Sequence, residues 1–467
     1  MFLKMAPFFT SDAVTLGILL VVLAVIFHTS SLKSPGWSKF YKFVPGLLLA
    51  YFIPALLNWP LGLIAPHWYE SGLTQLLADN NILSMPANLS YDEITEFLGE
   101  NGIPASEYKK FQGHSQLYYV ASRYLLPASL VLLCLGIDFK GLKGLGPKAI
   151  IMFLTATLGI IIGGPIALLV ISYIAPDVIG GSPDEIWRGL STVAGSWIGG
   201  GANQTAMKEI FEVKDNLFGT MIVVDVVVAN FWMGFLLYGA NISDKVDKWL
   251  KADNSAIEDL KTRINDYRES IEEMPTTTTL FVMLAVAFGG VALSHWGADT
   301  LSPFMTGFKE TLSKYRLNSL MSHFFWLIVI STTFGMALSL TKFRKLEGVG
   351  SSRWGSIFIY ILVATIGMKM NLGEVFKNLG LFAIGIIWML VHVTILLTVA
   401  KIIKAPFFFV AVGSQANVGG AASAPVVASA FSPSLAPVGV LMAVLGYALG
   451  TYGAIICATL MQIVSGS

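Results

Sequence analysis

The sequence predicts an all-α polytopic membrane protein made of two inverted five-span repeats, each with a re-entrant glycine-rich hairpin. Three observations carry that prediction: charge confined to two windows, apolar segments of bilayer-spanning length, and a matched pair of glycine-rich breaks. Hydrophobic residues make up 55% of the 467-residue chain and Asp, Glu, Lys and Arg only 13%, about half the charged share of a soluble domain. Of the 59 charged residues, 24 fall within 66–117 and 241–274. The rest of the chain has no polar face to present to water. A net charge of +1 gives nucleic acid no electrostatic hold. Cys134 and Cys457 lie in apolar runs and suit neither a disulfide framework nor a zinc site.

A helix needs about 20 apolar residues to cross a hydrocarbon layer of about 30 Å. By that measure the spans are 12–28, 43–65, 118–137, 149–175, 217–240, 277–297, 317–341, 354–370, 379–403 and 434–462, which makes ten. The first follows Lys4 and lacks a small-residue cleavage site, so it reads as a spanning helix rather than a secretory signal. Two further stretches, 189–215 and 405–432, are apolar but interrupted by the runs GSWIGGGANQTA (195–206) and GSQANVGGAASAP (413–425). Glycine, amides and proline there break any continuous helix.

Basic residues decide whether these two stretches cross. If both fold back as hairpins, the clusters at 30–42, 138–148 and 342–353, Lys401 and Lys404 all face the cytoplasm with the linker 241–275. The acidic stretches 66–117 and 176–188 then face outside, as do both termini. If both crossed, the second half would flip and expose its basic clusters. The hairpin topology is therefore expected. An arm such as 191–199 rises about 13 Å, near the midplane, where broken backbone survives only against protein or a wet cavity.

The chain is duplicated within itself, 1–240 against 276–467. Aligning Gly195 with Gly413 also matches Ser196 with Ser414, Gly201 with Gly419, and Ala206 with Ala424. Upstream, Gly136 pairs with Gly367. Five spans per repeat is odd, so the halves insert with opposite orientation. One glycine run in an apolar helix is close packing; two matched runs with amides and hydroxyls form a transporter signature. Between the halves, Ile257, Leu260, Ile264, Tyr267 and Ile271 make one amphipathic stripe, read as a tether. The 66–117 insert reads as a small helical cap without chemistry.

The candidate substrate residues are Ser196, Gly199, Gly200, Gly201, Asn203, Gln204 and Thr205 in the first hairpin. Their counterparts are Ser414, Gln415, Asn417, Gly419, Gly420 and Ser423. Helix starts at a break expose N–H groups that favour anionic groups; freed carbonyls and amide oxygens hold sodium. Asp225 stands among valines near the middle of its span. A carboxylate there must be protonated, paired or cation-bound, and it reads as the coupling residue for Na+ or H+, with Asn203 and Asn417. His323 and His392 read as satisfied core histidines, and Lys369 and Arg123 as snorkelling cations. The glycine pairs 159/163 and 446/450 are assigned to helix packing.

The span order and the two motifs resemble the YjcL-like family of uncharacterised bacterial membrane proteins over nearly the whole length. More remotely they resemble the glutamate–sodium symporters and the cation–proton antiporter-like anion transporters. That resemblance implies an elevator motion, a homodimer and a bacterial inner membrane. The glutamate symporters' histidine-containing glycine motif is missing. The expectation is a secondary transporter, sodium-coupled, for a small organic anion or amphoteric solute, with no enzymatic activity and no cofactor. A cation–proton antiporter is the alternative within transport, although Asp225 has no adjacent carboxylate partner. An intramembrane hydrolase lacks a motif joining Ser196 to a base; a membrane sensor leaves the duplication unexplained.

Overall fold

Where the sequence runs apolar without interruption it forms long helices, and where glycine, proline and capping residues gather the helices stop. The computed structural model describes residues 6–44, 46–80, 82, 91–137, 145–175, 182–253, 274–314, 317–370, 380–432 and 435–466. These group into two units, 1–123 with 360–372, and 124–359 with 373–467.

The first unit holds α1 (Asp12–Ser31), α2 (Pro35–Phe43) and α3 (Gly46–Asn58). The 66–117 insert is not purely helical. Strands β1 (His67–Tyr69) and β2 (Gln112–His114) pair antiparallel, with Trp68 opposite Gly113, and a Cβ at Gly113 would strike the Trp68 indole. Helices α4 (Gly72–Asp79) and α5 (Tyr91–Glu100) complete a separate core of Tyr69, Leu73, Leu77, Ile94, Leu98, Ile103 and Tyr108. The division between units falls within α6 (Leu117–Leu135) and, later, α14 (Ser351–Gly367).

The second unit holds α7 (Pro147–Ile174), α8 (Pro183–Gly199), α9 (Gly201–Ile210), α10 (Asp215–Asn241) and α11 (Ser243–Leu250). It continues with α12 (Thr277–Thr306), α13 (His323–Ser339), α15 (Gly380–Ile403), α16 (Phe407–Val418), α17 (Gly420–Phe431) and α18 (Ala436–Ser465). Helices α7 and α15 mesh through the glycine pair 159/163. The His392 ring lies 3.0 Å from where a Gly159 Cβ would stand, and the Trp388 ring 2.6 Å from that of Gly163. Helices α12 and α13 group with both glycine-broken pairs.

Seven helices among the described residues are long and apolar enough to cross a bilayer, against the ten expected: α1, α6, α7, α10, α12, α15 and the 441–465 part of α18. The protein is thus an all-α polytopic membrane protein. Of the apolar windows of α1 and α12 only 22% and 28% are buried, which leaves broad faces for lipid. Two expected spans are shorter than drawn, and a third is displaced. Span 43–65 becomes the 13-residue α3, which carries Pro54 inside and ends before Trp59 and Pro60. Span 317–341 shrinks to the 17-residue α13 because Ser322 caps its start, accepting from Phe325 N at 3.4 Å. Span 354–370 keeps its 17 residues but moves three positions towards the N-terminus as α14, which starts after Gly350 at φ +101°.

The first broken pair begins at Pro183 rather than 189. Ser182 accepts from Glu185 N, and Pro183, Asp184 and Glu185 form a strong helix start. The sequence alone puts those acids in an outside loop, 176–188. The first arm is therefore 17 residues, about 25 Å, instead of about 13 Å. The described beginning of the linker is docked: Asp247 Oδ1 accepts from Phe407 N at 2.7 Å and so caps α16. The stripe 257–271, part of the 176–188 loop, and Asp138, Lys140 and Lys143 lie outside the described residues.

Candidate functional site

The first break is a reversal. Gly200 takes φ +75° and ψ −171°, backbone essentially closed to side chains, and α9 returns along α8. A Cβ at Gly195 would lie 2.6 Å from Asn203 O, across the turn. The second break turns at Gly419 and at Gly420, φ +57°. Gln415 Nε2 reaches across it to donate to Ser423 Oγ at 2.7 Å, and a Cβ at Gly419 would collide with both side chains.

Both first arms end against α18. A Cβ at Gly446 would stand 2.9 Å from Ile198 O and 3.3 Å from Ala416 O. Carbonyls in a last helical turn have no partner within the helix, so two negative helix ends face one glycine. One turn later Gly450 meets Gly199 backbone to backbone, its Cβ position 2.5 Å from Gly199 Cα. The 446/450 pair is packing, and what it packs is the two breaks.

Helix α10 brings Asp225 to the first break. Oδ2 accepts from Ser196 Oγ at 2.6 Å and Gln204 Nε2 at 3.0 Å; Oδ1 accepts from Trp197 Nε1 at 2.7 Å. Donors from both sides of Gly200 close on one buried carboxyl, held among the described residues by hydrogen bonds rather than an ion pair. Gln204 Oε1, on the far end of the same amide, is buried and has no hydrogen-bond partner among the described residues. The same holds for Gln415 Oε1.

The two asparagines are clamps of one design. Asn203 Nδ2 donates to Gly199 O at 3.1 Å and Tyr447 O at 2.9 Å, while Oδ1 accepts from Thr451 Oγ1 at 2.6 Å. Asn417 Nδ2 donates to Gly413 O at 2.9 Å and Phe153 O at 3.2 Å, while Oδ1 accepts from Thr157 Oγ1 at 2.8 Å. Their amide hydrogens are spent inside the protein, and each can offer a ligand only the second lone pair of its oxygen. Thr205 Oγ1 turns back to Gly201 O at 2.9 Å. Replacing either asparagine by alanine is expected to remove three buried hydrogen bonds, although Thr157 keeps Phe153 O and Thr451 keeps Thr332 Oγ1, at a cost of about 1–3 kcal/mol; thermal unfolding in detergent measures it, and an unchanged midpoint refutes the clamp.

Ser414 lies apart from Asp225. It accepts from Trp232 Nε1 at 2.8 Å and meets His392 Nε2 at 2.8 Å, while His392 Nδ1 meets Ala156 O at 3.1 Å. A carbonyl only accepts, so Nδ1 carries the hydrogen and Nε2 accepts from the Ser414 hydroxyl, an assignment made from the network. His392 is a satisfied core histidine that also anchors the second pair. His323 is not a core residue: it opens α13, its side chain is 40% exposed, and it pairs with Asp299 at 2.9 Å. Lys369 Nζ lies 4.1 Å over the Tyr118 ring.

At its base the first pair is held by charge. Arg188 donates to Asp184 Oδ2 and Phe211 O, both at 2.8 Å, and Lys214 pairs with Glu185. The hydrogen bond from Lys214 holds the Glu185 carboxyl below its usual value. Buried Lys208 pairs with Asp215 at 2.9 Å.

Sequence reasoning missed Trp197, Trp232, Tyr447, Thr157 and Thr451 as parts of the site. A signal existed for the threonines. Thr157 stands two residues before Gly159, and Thr451 directly after Gly450: each is a hydroxyl on an apolar helix beside a glycine pair.

A family model described as "Protein of unknown function (DUF819)" matches residues 108–464. The chain is also 24% identical over 344 residues to the "Uncharacterized membrane protein YjcL" of Bacillus subtilis (strain 168), over 72% of this chain and 82% of that one. The family match contains both breaks, Asp225 and the glycine pair of α18, and on its extent this helical membrane protein belongs to the DUF819 family.

Proposed function

We propose that the protein is a secondary active transporter, a sodium-coupled symporter of a small organic anion or amphoteric solute that works by an elevator motion. One observation carries this reading. Two glycine-broken helix pairs converge on the same turn of α18, and the first closes on a buried carboxylate, Asp225. Paired breaks at membrane depth concentrate free backbone groups where a solute and an ion can be held together. An inverted repeat with re-entrant hairpins accounts for both breaks, and the elevator reading makes the hairpin-bearing bundle the moving part. The protein is read as a homodimer in a bacterial inner membrane, free of cofactor and of enzymatic activity.

Purified protein in proteoliposomes tests it directly. Solutes that raise thermal stability in a screen of amino acids, dicarboxylates and short peptides should accumulate when sodium is imposed outside. Binding only the folded state raises stability by RT ln(1 + [L]/Kd). Accumulation that ignores sodium and follows a pH gradient replaces symport with proton coupling. The topology has its own check. With both termini outside, a cysteine at Ser255 in the linker should react with an impermeant maleimide only after cells are permeabilised; labelling of intact cells overturns it.

A further inference from the structure

The unpartnered atoms at the two breaks share one chemical character. Gln204 is fully buried and Gln415 is 2% exposed. In both, the atom without a partner is the side-chain oxygen. At Gln204 this orientation is imposed, because the other end of the amide faces the Asp225 carboxylate, which takes a donor and repels an oxygen. At Gln415 the nitrogen end is committed to Ser423. In the same two helix pairs the terminal carbonyls of Ile198 and Ala416 both crowd the Gly446 position. Asp225 sets a carboxylate against Gln204, and the three donors it accepts from are all neutral. Among the described side chains at the breaks, what is left open to a ligand is acceptors, from both halves of the chain.

Resting on the transporter reading above, we infer that the solute carries a primary ammonium group and that Gln204 Oε1 and Gln415 Oε1 receive its N–H donors. A buried acceptor is costly to leave unmade, and a solute built of carboxylates alone has nothing to give it. The transported solute is therefore amphoteric rather than purely anionic. A bare sodium ion satisfies the same oxygens by the same chemistry, so the experiment separates the two sources.

The test uses matched pairs that differ by one ammonium group: L-aspartate against succinate, and L-alanine against propionate. Thermal stability of the full chain in detergent is measured with each, first in choline chloride and then in sodium chloride. The ammonium member of at least one pair should bind about tenfold or more tightly than its partner. Gln415→Met deletes the oxygen at nearly constant size and should weaken that ligand by about tenfold. Gln415→Glu keeps an acceptor and adds charge, so it should preserve or tighten binding. Equal binding of both members, or loss of binding in Gln415→Glu, overturns the ammonium assignment but leaves a solute-binding transporter. Stabilisation by sodium alone that Gln415→Met removes gives the oxygens to the ion, which overturns the assignment and supports coupling. If no solute shifts stability and none enters proteoliposomes, both readings fall. Should the variants misfold, the comparison of pairs in the unaltered protein still decides.

Discussion

Asp225→Ala is expected to be the most destabilising single replacement of a polar side chain in the second unit. It strands three buried donors at once: Ser196 Oγ, Trp197 Nε1 and Gln204 Nε2. One unsatisfied buried donor costs about 1–3 kcal/mol, and the three cannot all turn elsewhere. A loss of about 3 kcal/mol or more follows, large against a total stability of about 5–15 kcal/mol. Asp225→Asn is milder. Its oxygen can serve Ser196 and Gln204 in the Oδ2 position, but its NH2 then faces the Trp197 indole N–H, donor against donor. About 1–3 kcal/mol is expected, with the fold retained and the negative charge gone. Thermal midpoints rank the two variants against the unaltered protein, and uptake across a sodium series and a pH series reads the function. Coupling through Asp225 requires both responses to flatten in the Asn variant. Unchanged responses would leave Asp225 a structural acceptor and return the coupling role to the oxygens of Asn203 and Asn417. An alanine variant as stable as the original would mean that water reaches the three donors.

Much of this site is legible in the sequence because it is made by exceptions to an apolar rule. Broken helices announce themselves as glycines and amides in a hydrophobic run, and Asp225 stands out among valines. Its meeting with Ser196 and Gln204 follows from the short turn between α9 and α10. What the sequence conceals is the identity of partners that are distant in the chain. Thr451 reaches Asn203, and Thr157 reaches Asn417, across more than two hundred residues. The neighbouring glycine pair marks each threonine as lying at a helix contact, but no local pattern says which asparagine it reaches. Thr157 also bonds its own helix at Phe153 O, as Thr394 does at Leu390 O. The long first arm was hidden for a different reason. Ser182, Asp184 and Glu185 read equally as polar loop or as helix start, and charge counting along the chain favoured the loop. His323 misled in the same way, since a lone histidine beside an apolar run says nothing of Asp299 one helix earlier. The shortened α3 was the most avoidable error, with Pro54 and Pro60 both in plain view.

Gly450→Ala is expected to have the second large effect, and a control of the same chemistry shows why. A methyl at Gly450 would lie 2.5 Å from Gly199 Cα and 2.6 Å from Asn203 Nδ2. Neither neighbour can yield cheaply, for one is backbone and the other is the hub of a three-bond clamp. Overpacking of this kind costs about 1–3 kcal/mol, and pushing α8 from α18 also loosens Asn203 from Thr451. Gly450→Val should therefore approach failure to fold. Gly234, also in a helix interior, has nothing within 4 Å of its Cβ position. There Gly→Ala should stabilise by up to about 1 kcal/mol, through helix propensity and a smaller unfolded ensemble. The same substitution thus takes opposite signs at the two sites, and the difference between their thermal midpoints measures how tightly the first break is seated. If Gly450→Ala matches Gly234→Ala in stability, α8 and α18 do not touch there. The convergence of the two breaks would then fail as the basis of a binding site. If Gly450→Ala is destabilised but retains full uptake, the seat is structural and the solute is held elsewhere. Loss of both together is the expected result, because the residues that seat the break, Gly199 and Asn203, flank the turn whose side chains close on Asp225.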